Sequence, residues 1–268
     1  MLNLEAAHAL DILPKKYNFI VIGTGGNGGH LLPNLCRLVK SVPHIQCSII
    51  VADADVVETK NVGRQNFIAA DVGKNKAAVM AERYGAAFGI SIAYVDRYIE
   101  DVKTISELSR TSYNVESKVP FVIGCVDNNK TRQVIHDWFR NTLNAAWLDV
   151  GNNEFIGQAV LGYNVVSRMK NAAPEKPYPF YCPPVTERYP DIVTDHNAKF
   201  NSELSCDEMA VSAPQSIMTN IMAASCVMMM ITPLLTTEKG LSFTEVAFNT
   251  KTGMITPKPN ISSVIRAA

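Results

Sequence analysis

Residues 17–28 run Tyr-Asn-Phe-Ile-Val-Ile-Gly-Thr-Gly-Gly-Asn-Gly, and no other stretch constrains the fold as much. The β-branched and aromatic run reads as a buried strand. The segment that follows, Gly25 to Lys40, carries leucines at 31, 32, 35 and 38, which is helical spacing. Glycines between a strand and a helix permit a tight turn and let a phosphate approach backbone N–H groups at a positive helix end. Gly23, Gly25, Gly26 and Gly28 are therefore candidate nucleotide contacts. A second strand, Cys47 to Asp53, closes on an acid that can accept hydrogen bonds from ribose hydroxyls. Alone, this pattern means a Rossmann-like nucleotide fold and would favour NAD or FAD.

The rest of the chain extends the same scheme. Gly73 to Gly89 reads as an alanine-rich helix, Ile90 to Val95 as a strand, Pro120 to Cys125 as a strand, Asn129 to Asn144 as a helix and Trp147 to Gly151 as a strand. This alternation predicts an α/β fold with a doubly wound, mainly parallel sheet. Phe155 to Val166 and two later runs, Ser242 to Asn249 and Met254 to Pro257, predict an antiparallel C-terminal extension. Between them, Arg168 to Ser205 is rich in proline and predicts a long irregular segment of the functional or mobile kind. A helix from about Asp207 to Leu235 follows.

Composition narrows the function classes. Apolar residues make up 47% of 268 residues and charged residues 19%, enough for a full core. Lysine plus arginine and aspartate plus glutamate each number 25, with no basic run, which argues against nucleic-acid binding. Met1 to Pro14 lacks the pattern of a signal peptide. The apolar stretch Ile217 to Leu235 has the length of a membrane span, but Thr219, Asn220, Ser225 and Thr232 interrupt it, and it reads as a buried helix. Six cysteines without a C-x-x-C pair read as reduced thiols of a cytoplasmic protein.

The residues after Asp53 select the ligand. Asp53 to Phe67 reads D-A-D-V-V-E-T-K-N-V-G-R-Q-N-F, with V-G-K-N-K-A at Val72 to Ala77. A dehydrogenase has no use for Asn61, Arg64 and Lys76 crowded behind its ribose acid, whereas a site that binds a triphosphate and expels pyrophosphate does. Arg64 can fork two phosphate oxygens and Lys76 supplies a compact charge. Asp127, in C-V-D-N-N-K-T-R, falls at the C-terminal edge of the sheet, where a Mg²⁺ ligand would sit.

Four stretches together resemble the ThiF/MoeB/HesA family, relatives of ubiquitin-activating enzymes. They are V-I-G-T-G-G-N-G-G, the D-x-D-x-V-x-x-x-N-x-x-R-Q motif at Asp53 to Gln65, G-x-x-K at Gly73 to Lys76, and D-N-x-x-x-R at Asp127 to Arg132. The resemblance spans roughly residues 17 to 257. It is most similar to ThiF-like proteins of plasmid PRTRC-type gene clusters, which also encode ubiquitin-like and conjugation-like proteins. The resemblance implies a single adenylation domain over 1–268, with 168–205 a flexible crossover-type loop. It also implies a chemistry in which the C-terminal carboxylate of a ubiquitin-like or sulfur-carrier protein attacks the α-phosphate of MgATP. Asp53 would then bind ribose, Asn61, Arg64, Gln65 and Lys76 the nucleotide and its phosphates, and Asp127 the magnesium. A small-molecule or tRNA-bound carboxylate, or a non-catalytic nucleotide-binding scaffold, are the competing readings.

Family members that go further capture the activated carboxyl on a cysteine, and hand it to a downstream conjugating protein. Cys206, in E-L-S-C-D-E-M-A before the late helix, resembles that position, although Asp207 and Glu208 oppose a thiolate there. Cys182, in F-Y-C-P-P-V, stands where relatives carry the first pair of a structural zinc site. The second thiol of that pair and the later pair are missing, which argues against zinc and leaves Cys182 as inert, the favoured reading, or as a second reactive thiol. Cys36, Cys47, Cys125 and Cys226 read as core. His30 reads as a capping or packing residue. Methionines 218, 222, 228, 229 and 230 suit core or a dimer surface, and the resemblance implies a homodimer. The segment before Tyr17 holds Lys15 and Lys16 but no arginine, unlike dimeric relatives that reach into a partner's ATP site.

Overall fold

The structure, a computed structural model, describes residues 16–110, 118–167, 178–203, 216–236, 241–259 and 263–264. Strand β1 (Lys16–Ile22) lies at the middle of the sheet because both its faces are apolar, as a central parallel strand requires. Tyr17, Phe19 and Val21 join one core; Ile20 and Ile22 join the other. Its buried amide, Asn18, is satisfied by a covering helix and the neighbouring strand: it donates to Leu108 O of that helix at 2.9 Å and accepts from Ser48 Oγ at 2.8 Å. Helix α1 (Gly26–Ser41) buries Leu31, Leu32, Leu35 and Leu38 against the first core. Each such burial contributes about 1.5–3 kcal/mol.

Next come β2 (Gln46–Ala52), the single helical turn α2 (Thr59–Val62), α3 (Lys76–Phe88) and β3 (Ile92–Val95). After them stand α4 (Val102–Arg110), β4 (Val119–Gly124), α5 (Asn129–Arg140) and β5 (Ala145–Asn152). Strands β3, β2, β1, β4 and β5 lie side by side, all parallel. Helices α1 and α3 cover one face; α4 and α5 cover the other. Because the chain leaves β1 toward β2 but leaves β4 toward β5, the crevice beyond their C-terminal ends is the topological switch point, where ligands of open α/β sheets bind.

The antiparallel extension is as expected. Strand β6 (Ile156–Ser167) runs back along β5, from Ala145 opposite Asn164 to Asn152 opposite Gly157. Its 12 residues are long enough to carry two partners end to end on the other edge. One is β7 (Tyr178–Cys182), the other β8 (Phe243–Asn249), which continues to β9 (Met254–Pro259). A two-residue strand β10 (Ser263–Val264) pairs with β7. All the described strands form one sheet.

The proline-rich segment differs from the irregular loop that its composition predicts. Its described part holds β7 and two helical turns, α6 (Val185–Arg188) and α7 (Asp191–Thr194). The prolines are compatible with order here because Pro184 and Pro190 stand just ahead of those turns, where a missing N–H costs nothing. The late helix, α8 (Ile217–Thr236), is long and apolar enough to cross a membrane by length and composition. It packs against α1, β5, β6 and β8, burying Thr219, Asn220, Ala223, Val227, Met230 and Ile231.

Candidate active site

The glycine turn is dictated by close approach. Gly23 has φ +89°, and a Cβ there would lie 2.7 Å from the Cys125 carbonyl oxygen. A Cβ on Gly28 would lie 1.9 Å from Gly23 O, so the first turn of α1 folds back on the strand end only without side chains. Helix α1 has no side-chain cap, which leaves its leading N–H groups facing the crevice as an anion site. Asp53, just beyond β2, locks the turn: Thr24 donates to Oδ2 through N at 2.7 Å and Oγ1 at 2.9 Å. The Asp55 N–H donates to Asp53 Oδ1 at 3.0 Å. A carboxylate accepts about four hydrogen bonds, so one position is left for a ribose hydroxyl.

Lys76 is delivered by a second lock. Asn75 caps α3 by accepting from Ala78 N at 2.9 Å, and its amide donates to Asp53 O at 2.8 Å and Asp55 O at 3.2 Å. One side chain thus ties the helix start to the acidic strand end. Lys76 is 6% exposed, with Nζ 2.8 Å from Asp55 Oδ2. The other Asp55 oxygen accepts from Tyr98 OH at 2.6 Å. Burial pushes the Asp53 carboxyl above the ordinary range, and the Lys76 charge offsets this only in part. For Asp55, burial is again the largest influence, but the charge and hydrogen bond of Lys76, with the Tyr98 bond, overcome it and hold the carboxyl low.

The N-x-x-R-Q residues line the same turn from above. Asn61 is 2% exposed, and its oxygen accepts from Glu58 N at 2.8 Å to cap α2. Among the described residues the Arg64 guanidinium has no ion-pair or hydrogen-bond partner, and it is partly exposed. Gln65 lies against Gly25, and its Oε1 is buried without a partner among the described residues. Asn66 fastens the segment to α1 by donating to Gly29 O at 2.9 Å. His30, early in α1, has an Nε2 that is buried without a partner among the described residues; burial lowers its pKa, against a hydrogen bond to the Arg64 backbone.

Asp127 follows β4 at the expected edge and is exposed. Asn201 Nδ2 donates to its Oδ1 at 3.4 Å, and Asn129 Nδ2 donates to Asp195 Oδ2 at 2.9 Å. The described part of 168–205 therefore runs over the start of α5, close to the crevice. Arg132, the last residue of D-N-x-x-x-R, is buried; its Nε lies 3.0 Å from Asp149 Oδ2 and its Nη2 donates to Val126 O at 2.7 Å. It holds the loop that presents Asp127. Cys206 lies outside the described residues. Cys182 is fully buried, donating to Leu161 O at 3.4 Å and accepting from Arg188 Nη2 at 3.2 Å; burial pushes its thiol up. Cys36 and Cys226 are buried, whereas Cys47 and Cys125 are only partly so.

Comparison with known proteins follows from this geometry. The ThiF family profile matches residues 13–262. The chain belongs to the ThiF family. That is a family of nucleotide-binding adenylyltransferases that use ATP. Among solved structures, this ThiF-family chain is similar to selenomethionine PaaA, at 14% identity and TM-score 0.60, covering 97% of this chain and 68% of that one. It is also similar to E. coli MccB with MccA, at 17% identity and TM-score 0.55, covering 97% of this chain and 66% of that one. E. coli MccB with AMPCPP and MccA gives 18% identity and TM-score 0.56, covering 97% and 69%. About a third of each neighbour thus has no counterpart here. No curated protein matches by sequence.

Several site residues escaped the sequence reading. Thr24 and Asn75 are locks whose role is visible only through their partners. Asp55 was in plain view as the second acid of D-A-D. Tyr98 carries no motif. A chain of amides was also missed: Asn27 Nδ2 donates to Asn152 Oδ1 at 2.7 Å, and Asn152 Nδ2 donates to Asn220 Oδ1 at 3.3 Å. It fixes the glycine turn against β5 and α8, where a Cβ on Gly26 would lie 2.4 Å from Asn220 Nδ2.

Proposed function

We propose that this chain uses MgATP to adenylate the C-terminal carboxylate of a ubiquitin-like or sulfur-carrier protein, and then captures the acyl group on Cys206. The observation that carries the reading is the cation set around the glycine turn. A buried Lys76 and an Arg64 without a partner among the described residues stand beside an uncapped helix start and a ribose-type acid. A dinucleotide's pyrophosphate needs no such pair of cations; a triphosphate that loses pyrophosphate does. The substrate carboxylate is ionised at neutral pH, so no general base is required. Its oxygen attacks the α-phosphorus, the bond to the bridging oxygen breaks, and pyrophosphate leaves with the charge that Arg64 and Lys76 offset. Catalysis is then chiefly positioning and charge stabilisation.

The residues suit magnesium. Mg²⁺ keeps several waters and is held by one or two carboxylates plus substrate phosphates, and Asp127 is a single exposed carboxylate at the crevice. Bound there, the ion would neutralise phosphate charge. Asn61, with its amide NH₂ left over, and Gln65 complete the proposed nucleotide contacts.

A polypeptide substrate is favoured by a groove of about 430 Å³ at the same edge of the sheet. Asn152, Asn153, Gln158, Ile156, Phe248 and Met254 are among the residues that line it. E. coli MccB has been crystallised with MccA, which supports the same reading. In the second step the Cys206 thiolate attacks the acyl carbonyl and AMP leaves with the phosphate oxygen. We also propose a cytoplasmic homodimer in which the outer face of α8, with Ile217, Met218, Ile221 and Met229 exposed, meets its copy; light scattering tests it, and a monomer would contradict it.

The test is incubation with ATP and a ubiquitin-like protein encoded nearby, followed by intact-mass analysis. An acyl-adenylate in both wild type and Cys206→Ala, with a thiol-labile adduct only in wild type, is expected. An undiminished adduct in Cys206→Ala removes Cys206 from the account.

A further inference from the structure

Lys76 is not poised toward open solvent. Its ammonium is held by Asp55, and both lie beside Asp53, which has its own donors in Thr24 and the Asp55 N–H. A buried ammonium needs a counter-charge, and separating it from one leaves that carboxylate uncompensated. If Lys76 is to meet a phosphate, Asp55 must lose its strongest partner while next to a second acid. The only other side chain that donates to Asp55 among the described residues is Tyr98, in the loop after β3. Burial, the bond to Asp55 and the charges of Asp53 and Asp127 all keep the phenol protonated, so it remains a donor.

We infer that Asp55 and Tyr98 form a counter-ion exchange device for Lys76. In nucleotide-free protein Asp55 parks the ammonium. When a triphosphate arrives, the ammonium turns to it, and the Tyr98 hydroxyl keeps the abandoned Asp55 carboxylate hydrogen-bonded. When pyrophosphate departs, Asp55 takes the ammonium back, which favours release. Tyr98 is thus a positioning residue that acts through Asp55. This rests on the phosphate role of Lys76 proposed above.

Calorimetric titration with ATP and with adenosine separates the possibilities. Tyr98→Phe should weaken ATP binding about tenfold, the change that corresponds to ~1.4 kcal/mol, and leave adenosine binding unchanged. A merely structural role would weaken both ligands together. Asp55→Asn should bind ATP more tightly than wild type, although its nucleotide-free form should melt at a lower temperature. ATP should therefore raise its melting point by more than it raises that of wild type. Unchanged ATP affinity in Tyr98→Phe, a parallel loss of adenosine, or weaker ATP binding by Asp55→Asn would each overturn the device. Lys76→Ala distinguishes the parent reading: if it binds ATP as tightly as wild type, the phosphate role falls and the device falls with it.

Discussion

Two buried acidic clusters in this molecule have similar ingredients and opposite balances of charge. Beside the glycine turn, Asp53 and Asp55 share the charge of one lysine, Lys76, which bonds Asp55, as Tyr98 also does. Elsewhere on the sheet, Glu245 of β8, 3% exposed, has three donors to itself. Arg188 Nη1 lies 3.2 Å away, Tyr189 OH 2.6 Å away, and Lys258 Nζ of β9 bonds the same carboxylate. Burial alone would raise the Glu245 pKa, but these partners carry it below the ordinary value, whereas Asp53 stays above its own. The first cluster sets two acids against one lysine, and the second sets one acid against two cations. The Glu245 cluster joins the turn after Cys182 to β8 and β9, so we read it as a structural clasp. The glycine-turn cluster is the one with room for a ligand.

Substitutions can break that contrast. The largest expected effect is on activity: Arg64→Ala or Lys76→Ala should lower ATP–pyrophosphate exchange by about 10²-fold or more, the usual loss when one transition-state charge partner is removed. Circular dichroism should show that Arg64→Ala keeps its fold. A folded Arg64→Ala protein with wild-type exchange would place the phosphate elsewhere. Next comes Glu245→Ala, expected to cost about 3 kcal/mol in urea unfolding because Arg188 and Lys258 lose a buried counter-charge. The folded variant should bind ATP with unchanged affinity; a change would mean that the two clusters are coupled.

The smallest effect is on pH dependence, where the clusters should have opposite signs. Glu245 has a depressed folded pKa, so its stabilisation is present above about pH 4.5 and is lost as pH falls through the lower folded value. Asp53 has a raised folded pKa, so the folded state takes up its proton first. Stability is gained as pH falls through that raised value toward 3.8. In unfolding curves from pH 7 downward, Glu245→Gln should flatten the acid-side loss and Asp53→Asn should remove the earlier gain. Identical profiles for the two variants would contradict the contrast.

How much of this was legible in the sequence differs between the clusters. The parallel sheet, the glycine turn and the antiparallel extension were readable because each rests on local signals: apolar runs, glycines and helical spacing. Asp53, Asn61, Arg64, Lys76 and Asp127 were readable because they fall at strand ends or in one short motif. The structure brings Asp53 and Lys76 to one crevice and puts Asp127 at its edge. What could not be read is what lies between them. The bonds from Thr24 to Asp53 and from Asn75 to the strand end depend on packing, and Tyr98 meets Asp55 across 43 positions. The Glu245 clasp joins residues 56 and 57 positions apart. The irregular loop expected over 168–205 holds β7 and two helical turns instead in its described part, because pairing with β6 overrides a proline-rich composition.

The central claim is that the site at the glycine turn consumes ATP. Exchange of labelled pyrophosphate into ATP, with and without a ubiquitin-like protein carrying a free C-terminus, tests it most directly. The account predicts exchange that requires that protein and disappears in Lys76→Ala. Tight ATP binding with no exchange for any carboxylate acceptor would contradict it.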